Sequence, residues 1–256
     1  MRKIALALSL ISLLALSACG GKEDPIDAAL KNAANGGGGG AAASGPARTA
    51  TIKGKITFEG TPPTPKTITT TSDPGCKGNK FPDEAIVVSD GGLENVILYA
   101  SGGDVTKQKY PVPTEVVTLS QEGCHYIPHA LTIQTGQKLE VVNNDETAHN
   151  IHAWATVNAA FNLSQASKGV KDTRVFDKEE VLLPIRCDVH NWMNSFIGVF
   201  SHALHTTSKK GGAYELKVPP GTYTITAEHE KLGKQDMMVT VADNGSADLN
   251  FTFKAQ

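Results

Sequence analysis

The feature that most limits this chain is a two-residue alternation of apolar and polar side chains that returns along its length. Ile52, Gly54, Ile56 and Phe58 alternate with Lys53, Lys55, Thr57 and Glu59, the pattern of a half-buried strand. Tyr214, Leu216 and Val218 repeat it, Pro219-Pro220-Gly221 turns the chain, and Tyr223, Ile225 and Ala227 repeat it again. Val239 and Val241, the Asp243-Asn244-Gly245 turn, and Leu249, Phe251 and Phe253 add two more strands. In the middle, Val117 and Leu119 mark one strand. Leu131, Ile133, Leu139 and Val141 mark two around Thr135-Gly136-Gln137, and residues 181–185 and 196–200 read as two others. Residues 85–88 and 93–100 read as strands across the Asp90-Gly91-Gly92 turn. Residues 154–180 are polar and irregular and are expected to cover one side of a domain. Amphipathic helical stretches are scarce, so the chain is expected to be all-β. At 256 residues and 40% hydrophobic content it can form one large or two small cores.

Chemistry concentrates in Cys187-Asp188-Val189-His190-Asn191-Trp192-Met193. A thiol and an imidazole three residues apart turn toward one point when the backbone curls, and a thioether three further on approaches from another side. Soft sulfur beside imidazole suits copper better than zinc or magnesium. A mononuclear site needs one more ligand, and His149, in the Asn143-to-Asn150 stretch, is the expected donor. Two His, one Cys and a weak axial Met form the ligand set of a blue-copper electron-transfer centre. His152 is the second choice. In the competing view Cys187 and Met193 are core side chains and the histidines lie on the surface. Trp192 reads equally as an apolar docking patch or as a core brace of the loop. His202 and His205 are read as caps of a domain junction, and His229 as a solvated residue at a strand end.

The N-terminus is a targeting segment. Arg2 and Lys3 precede a short apolar run that ends at Leu16-Ser17-Ala18-Cys19. This resembles the lipobox of bacterial lipoproteins, which implies cleavage before Cys19, lipidation of its thiol, and an extracytoplasmic, membrane-anchored protein of the cell envelope. Residues 19–49, rich in Gly and Ala, read as a flexible tether. The chain contains four Cys. With Cys19 on lipid and Cys187 on metal, Cys76 and Cys124 remain as a pair that an oxidising compartment would join as a disulfide. The alternative is a second metal site made by Cys124, His125 and His129. A net charge of -2 and the absence of a basic run argue against nucleic acid as a partner.

Residues 126–137, from Tyr126-Ile127-Pro128-His129 to Thr135-Gly136-Gln137, together with Asn144-Asp145, His149-Asn150 and the Cys187 to Met193 loop, resemble the cupredoxin fold of plastocyanin, amicyanin and azurin. That resemblance implies a copper domain over residues 105–202, ligated by His149, Cys187, His190 and Met193, with Asn150 tying the two ligand loops. Leu183-Pro184-Ile185-Arg186 departs from the family's approach to the Cys, and Pro184 implies a sheet edge or a bulge. Gly211 to Tyr223, with the strand around Gly54 to Phe58, resembles the carboxypeptidase regulatory-like domain, a transthyretin-like β-sandwich. Residues 50–104 and 203–256 would form it, with the cupredoxin Greek-key sandwich inserted in or adjacent to it.

The expectation is a tethered copper protein that carries single electrons between protein redox partners and is not an enzyme. A Cys–His nucleophile pair needs an orienting third group, and zinc hydrolysis needs an open position among His and carboxylate ligands. The sulfur-rich loop offers neither. The rival functions are copper storage or delivery, and a non-redox adhesion or carbohydrate-associated sandwich.

Overall fold

The structure is a computed structural model that describes residues 45–255. The lipobox, Cys19 and most of the expected tether therefore lie outside the described residues. The tether's last residues are not free. Arg48 Nη1 donates to the Ala203 carbonyl at 3.2 Å and Thr49 Oγ1 donates to Asp243 Oδ1 at 2.6 Å.

The fold is all-β. From the first part of the chain come β1 (Ala50–Glu59), β2 (Thr67–Thr69), β3 (Lys80–Pro82), β4 (Val88–Ser89), β5 (Gly92–Leu93) and β6 (Ile97–Gly102). The middle supplies β7 (Val117–Gln121), β8 (Tyr126–Ile127), β9 (Ala130–Gln134), β10 (Leu139–Asn143), β11 (His149–Ala153), β12 (Phe161–Gln165), β13 (Lys171–Arg174), β14 (Glu180–Arg186) and β15 (Asn194–Phe200). The last part gives β16 (His205–Thr207), β17 (Ala213–Val218), β18 (Gly221–His229), β19 (Gly233–Val241), β20 (Ser246–Asp248) and β21 (Phe251–Lys254).

Strands from the two ends of the described chain build one sandwich. β1 pairs antiparallel with β17 and β5 and parallel with β20 and β21, while the facing sheet runs β16-β6-β18-β19. Its core is apolar: Ile52, Ile56, Leu98, Ile225, Phe251 and Phe253 are all buried. The two chain ends approach closely here. A Cβ on Gly54 would stand 1.9 Å from the Leu249 carbonyl oxygen, so only glycine fits beneath β20 and β21. We call this unit the flanking sandwich.

The strands between these ends build the second sandwich, from sheets β13-β10-β7-β8 and β12-β11-β14-β15-β9. β10 with β7, and β9 with β15, run parallel, which requires connections that cross between sheets. Leu119, Ile133, Val141, Ile151, Ile185 and Ile197 fill its core. We call it the central sandwich.

Three local expectations need correction. Residues 154–180 are not wholly irregular: between loops they hold β12 and β13, which pair with β11 and β10. β12 alternates only over Phe161 to Gln165 and ends its inward face on a polar Gln165, and β13 carries no apolar side chain. Pro184 is at neither an edge nor the bulge. It lies in β14, between β11 and β15, opposite Phe196, and its carbonyl accepts from Trp154 N. The irregularity falls between Glu180 and Leu183, where Leu182 adopts φ 56°. The strands expected at 85–88 and 93–100 are shorter and displaced, as β4, β5 and β6. Asn95, at φ 62°, breaks the run between the last two.

Candidate metal centre

Cys187 follows the end of β14, and the loop after it closes on itself. Met193 N donates to the His190 carbonyl at 2.9 Å and Cys187 N donates to the Met193 carbonyl at 3.2 Å. This curl puts Cys187 and His190 on one side. His149, the first residue of β11, arrives from the other. Cys187 Sγ, an imidazole nitrogen of His149 and one of His190 lie within 4.8 Å of one another, and all three residues are buried. The His149 and His190 Nδ1 atoms are 2.9 Å apart, and Cys187 Sγ is 3.8 Å from His190 Nδ1. Met193 is fully buried in the same core as Cys187.

Each imidazole is aimed by a carboxylate. His149 Nε2 faces Asp145 Oδ2 at 2.9 Å, and His190 Nε2 faces Asp73 Oδ2 at 2.9 Å. With a proton on each Nε2, both Nδ1 lone pairs turn inward toward the thiol. This is the carboxylate–histidine arrangement that fixes the tautomer of metal-binding imidazoles. Burial works against a charged His149, but the Asp145 hydrogen bond and the neighbouring Cys187 outweigh it and push His149 up to about 9. Burial also opposes a charged Cys187, and hydrogen bonds from His149, Asn150 and His190 outweigh it and bring the thiol below its ordinary range.

The fit can be checked by size. Bonds of about 2.0 Å to imidazole and about 2.3 Å to thiolate, spread in a plane, set N···N near 3.5 Å and S···N near 3.7 Å, as rough estimates. The observed S···N distance of 3.8 Å matches, while the nitrogens, 2.9 Å apart, must part by about 0.6 Å to admit an ion between them. One thiolate and two imidazoles buried together suit copper.

Asn150 joins the two loops. Its Oδ1 accepts from Asp188 N at 2.7 Å and from Cys187 Sγ at 3.3 Å, while its Nδ2 donates to Asn162 Oδ1 at 2.6 Å and Asp188 Oδ2 at 3.0 Å. Tyr126 Oη supports the same strand by donating to the Asn150 carbonyl at 2.6 Å. His152, the second-choice ligand, points elsewhere: its Nδ1 pairs with Asp188 at 2.9 Å and its ring is partly exposed. Trp192 braces the loop. Its Nε1 donates to the Cys124 carbonyl at 3.0 Å, and its ring centre lies 5.2 Å from that of His190.

Cys76 and Cys124 are joined in a disulfide. Cys124 is therefore no thiolate ligand, and the alternative site built on it falls. The disulfide closes the centre from above. Cys76 ends the 3-10 turn Pro74–Cys76, which Asp73 caps through Gly75 N at 2.7 Å. Cys76 Sγ lies 3.6 Å from His190 Nε2, and Cys124 N donates to Asp145 Oδ2 at 2.8 Å. Asp73 also accepts from Thr147 Oγ1 at 2.9 Å. The hydrogen bond to His190, with those from Gly75 and Thr147, holds the Asp73 carboxyl below its usual range.

Sequence reasoning missed Asp73 altogether and passed over Asp145 as a ligand-orienting group. Asp145 was findable, four residues before His149 on the same loop; Asp73 carries no local signal. His202 and His205 lie at the junction of the sandwiches, stacked near Phe200. His229 is not solvated. It is 2% exposed at the end of β18, and burial pushes it down to about 4.

No family model and no curated protein sequence matches the chain. Among solved structures, it is similar to a Cu(I) amicyanin point mutant at 18% identity and a TM-score of 0.30, over 34% of this chain and 85% of that one. It is similar to a purple cupredoxin from Nitrosopumilus maritimus at 22% identity and a TM-score of 0.29, over 32% and 98%. A copper-containing nitrite reductase from Thermus scotoductus SA-01 gives 19% identity and a TM-score of 0.32, over 40% of this chain but only 25% of the enzyme.

Proposed function

We propose that the central sandwich binds one copper ion through His149, Cys187 and His190, with Met193 as the weak fourth ligand, and carries single electrons between protein redox partners. The observation behind this is the inward convergence of a thiol and two Nδ1 atoms at a buried point, with both outer nitrogens committed to carboxylates. Bound copper would supply a one-electron couple between Cu(I) and Cu(II). The protein's share is to hold the donors still. Asn150, Asp145, Asp73 and the disulfide fix both loops, so a change of charge moves the ligands little. Burial excludes water from Cys187 and His149, which are 2% and 0% exposed. A carrier of this kind is not an enzyme. We further propose that Cys19 is lipidated and holds the chain to a membrane of the bacterial envelope outside the cytoplasm.

Copper storage or delivery fits less well, because exchange favours exposed sulfur ligands. A purely structural role leaves the convergent polar donors without a purpose. The test is absorption of the copper-loaded protein. An intense thiolate-to-copper band that Cys187→Ser abolishes is expected. Colourless protein with copper bound would favour storage, and failure to bind copper would leave only the structural role. Mass spectrometry of membrane-derived protein checks the anchor: a diacylated or triacylated N-terminal Cys19 is expected, and an unmodified Cys19 refutes it.

A further inference from the structure

An electron that reaches the thiolate centre must cross its cover, and the cover is tight. His149 is 0% exposed and His190 1%. The outer nitrogen of His190, Nε2, faces Asp73 Oδ2 at 2.9 Å and lies 3.6 Å from Cys76 Sγ. Neither imidazole therefore offers an edge to a partner. Trp192 is the neighbour that leads outward. Its ring centre is 5.2 Å from that of His190, with 44° between the planes, a contact distance for aromatic rings. Its Nε1 is pinned to the Cys124 carbonyl at 3.0 Å, and its own carbonyl accepts from Asn194 Nδ2 at 3.1 Å. The indole is thus held in one position against His190.

Trp192 also lines a cavity of about 180 Å³, together with Phe81, Glu84, His125, His129 and Asn191. The walls are braced. Phe81 stacks on His125 with ring centres 4.4 Å apart. Glu84 Oε2 is in close contact with His125 Nε2 and lies 3.6 Å from His129 Nδ1, and His129 Nε2 faces Glu230 Oε1 at 2.6 Å. These contacts make the cavity preformed. A space of this size admits a group as large as a benzene ring. The other short way out of the centre runs along the backbone from Cys187 to the exposed Val189 and ends on a saturated side chain. The filled π orbitals of an indole lie higher in energy than the bonding orbitals of such a side chain, so an electron tunnels through the indole more easily.

We propose that Trp192 is the electron port of the centre. A one-electron carrier whose redox group has an exposed aromatic edge seats that edge in the cavity, against the indole, and exchanges its electron with the centre through the Trp192 and His190 rings. One electron leaves the centre as one arrives on the carrier. No bond is made or broken, no proton moves, and the indole returns unchanged. This role rests on the copper reading of the central sandwich. It gives Trp192 a second task beside bracing the loop, and it places the exchange surface beside the segment that the flanking sandwich lends, because Phe81 and Glu84 come from that segment.

Two variants separate the bracing role from the conducting one. Trp192→Phe and Trp192→Leu both lose the hydrogen bond to Cys124, but only Trp192→Leu loses the ring. Full-length protein is loaded with copper, reduced, and mixed with tris(phenanthroline)cobalt(III), a one-electron oxidant with aromatic edges. The return of the thiolate-to-copper band gives the rate, compared at equal driving force. Trp192→Phe is expected to stay within about threefold of the wild type and Trp192→Leu to be slower by about tenfold, with the band unchanged in both. A second readout needs no metal. The chain has two tryptophans, so in metal-free Trp154→Phe the emission comes from Trp192 alone. Acrylamide, a small neutral quencher, is expected to quench it through the cavity. Equal rates in Trp192→Phe and Trp192→Leu, or Trp192 emission that acrylamide leaves untouched, overturn the port and leave the copper band standing. A wild type without the band overturns the copper reading itself, and the port with it.

Discussion

The two sandwiches follow the same strand rule and use their interiors differently. In the flanking sandwich two tyrosines bring hydroxyls into the core, and each donates to one carbonyl. Tyr214 Oη donates to Leu249 O at 2.6 Å and Tyr223 Oη donates to Pro219 O at 2.5 Å. In the central sandwich one end of the core is given over to Gln121, Asn143, His149, Asn150, Gln165 and His190, all buried. Gln165 Nε2 donates to Val141 O and to Asp172 Oδ2, and Asn143 Nδ2 donates to Thr147 O and Gln165 O. Buried polar groups cost stability unless paired, and a connected set fixes one geometry. Departure from the apolar rule therefore marks the place where the fold serves chemistry. The flanking sandwich also lends the central one a cover, because Asp73, Cys76 and Glu84 all come from its β1-to-β4 segment.

The sharpest way to break this contrast is to damage the apolar core alone. Phe251 is 1% exposed in the flanking sandwich, so Phe251→Ala should cost about 3–5 kcal/mol of stability. Thermal unfolding should show the loss, while the copper absorption per folded molecule stays unchanged. A shifted band would mean that the flanking core shapes the metal centre directly. Next comes the covalent tie between the units. The disulfide spans 48 residues, and replacing Cys76 and Cys124 by Ser should cost about 4 kcal/mol through the freed unfolded chain. Copper should also dissociate faster, because Asp73 and Asp145 lose their anchor. An unchanged dissociation rate would show that the cover is dispensable.

Glu180 sharpens the comparison from within the central sandwich, since it is polar, buried and outside the His149, Cys187 and His190 cluster. Its carboxylate accepts from Thr156 N at 2.6 Å, Val157 N at 3.2 Å and Asn158 N at 2.9 Å. Burial raises its pKa, but the hydrogen bonds from Thr156 and Asn158 outweigh this and lower it from 4.5 to about 2. A depressed carboxylate contributes stability above its unfolded pKa and loses it as pH falls through the folded one. Glu180→Gln should therefore cost about 2 kcal/mol at neutral pH, with the gap to the wild type closing as pH falls from 4.5 toward about 2. A constant gap across that range would refute the charge-based account. The metal band should not move.

What could be read from the sequence follows the range of each interaction. Alternation is local, so the strands around Ile56, Leu131 and Phe251 were legible, and so was the curl that brings Cys187 to His190. Asn150 follows His149 in a recognisable pattern. Asp73, by contrast, meets His190 across 117 residues, in a loop with no period. Glu84 and Glu230 reach His129 from two separate segments, and nothing near His129 names them. β12 and β13 were missed because the alternation of Phe161 and Leu163 is too short to stand out and β13 carries no apolar side chain. Gln165 is buried where alternation would place an apolar residue. His229 looked solvated because its neighbours Glu228 and Glu230 are charged, yet it continues the inward phase of Tyr223, Ile225 and Ala227, with its ring centre 6.4 Å from that of Phe253.

The smallest expected effect separates the borrowed part of the centre from its own part. Asp73 and Asp145 both orient an imidazole, but Asp145 also holds Gly123 N at 2.7 Å and Cys124 N at 2.8 Å within the central sandwich. Asp145→Asn should therefore weaken the fold as well as the metal site. Asp73→Asn removes charge from one contact to His190 and leaves a side chain that can still cap Gly75. Loss of such an outer carboxylate lowers metal affinity about tenfold, or about 1.4 kcal/mol, with little change in melting temperature of the metal-free protein. The sign is set by basicity. An imidazole backed by a carboxylate is a stronger donor, and the gain is greater for Cu(II) than for Cu(I). The reduction potential of Asp73→Asn should accordingly rise, as measured by redox titration of the copper band. A potential that rises equally in both variants would mean that the lent carboxylate and the native one act alike. An unmoved potential in Asp73→Asn would make Asp73 a steric lid, and the flanking sandwich would then protect the centre without tuning it.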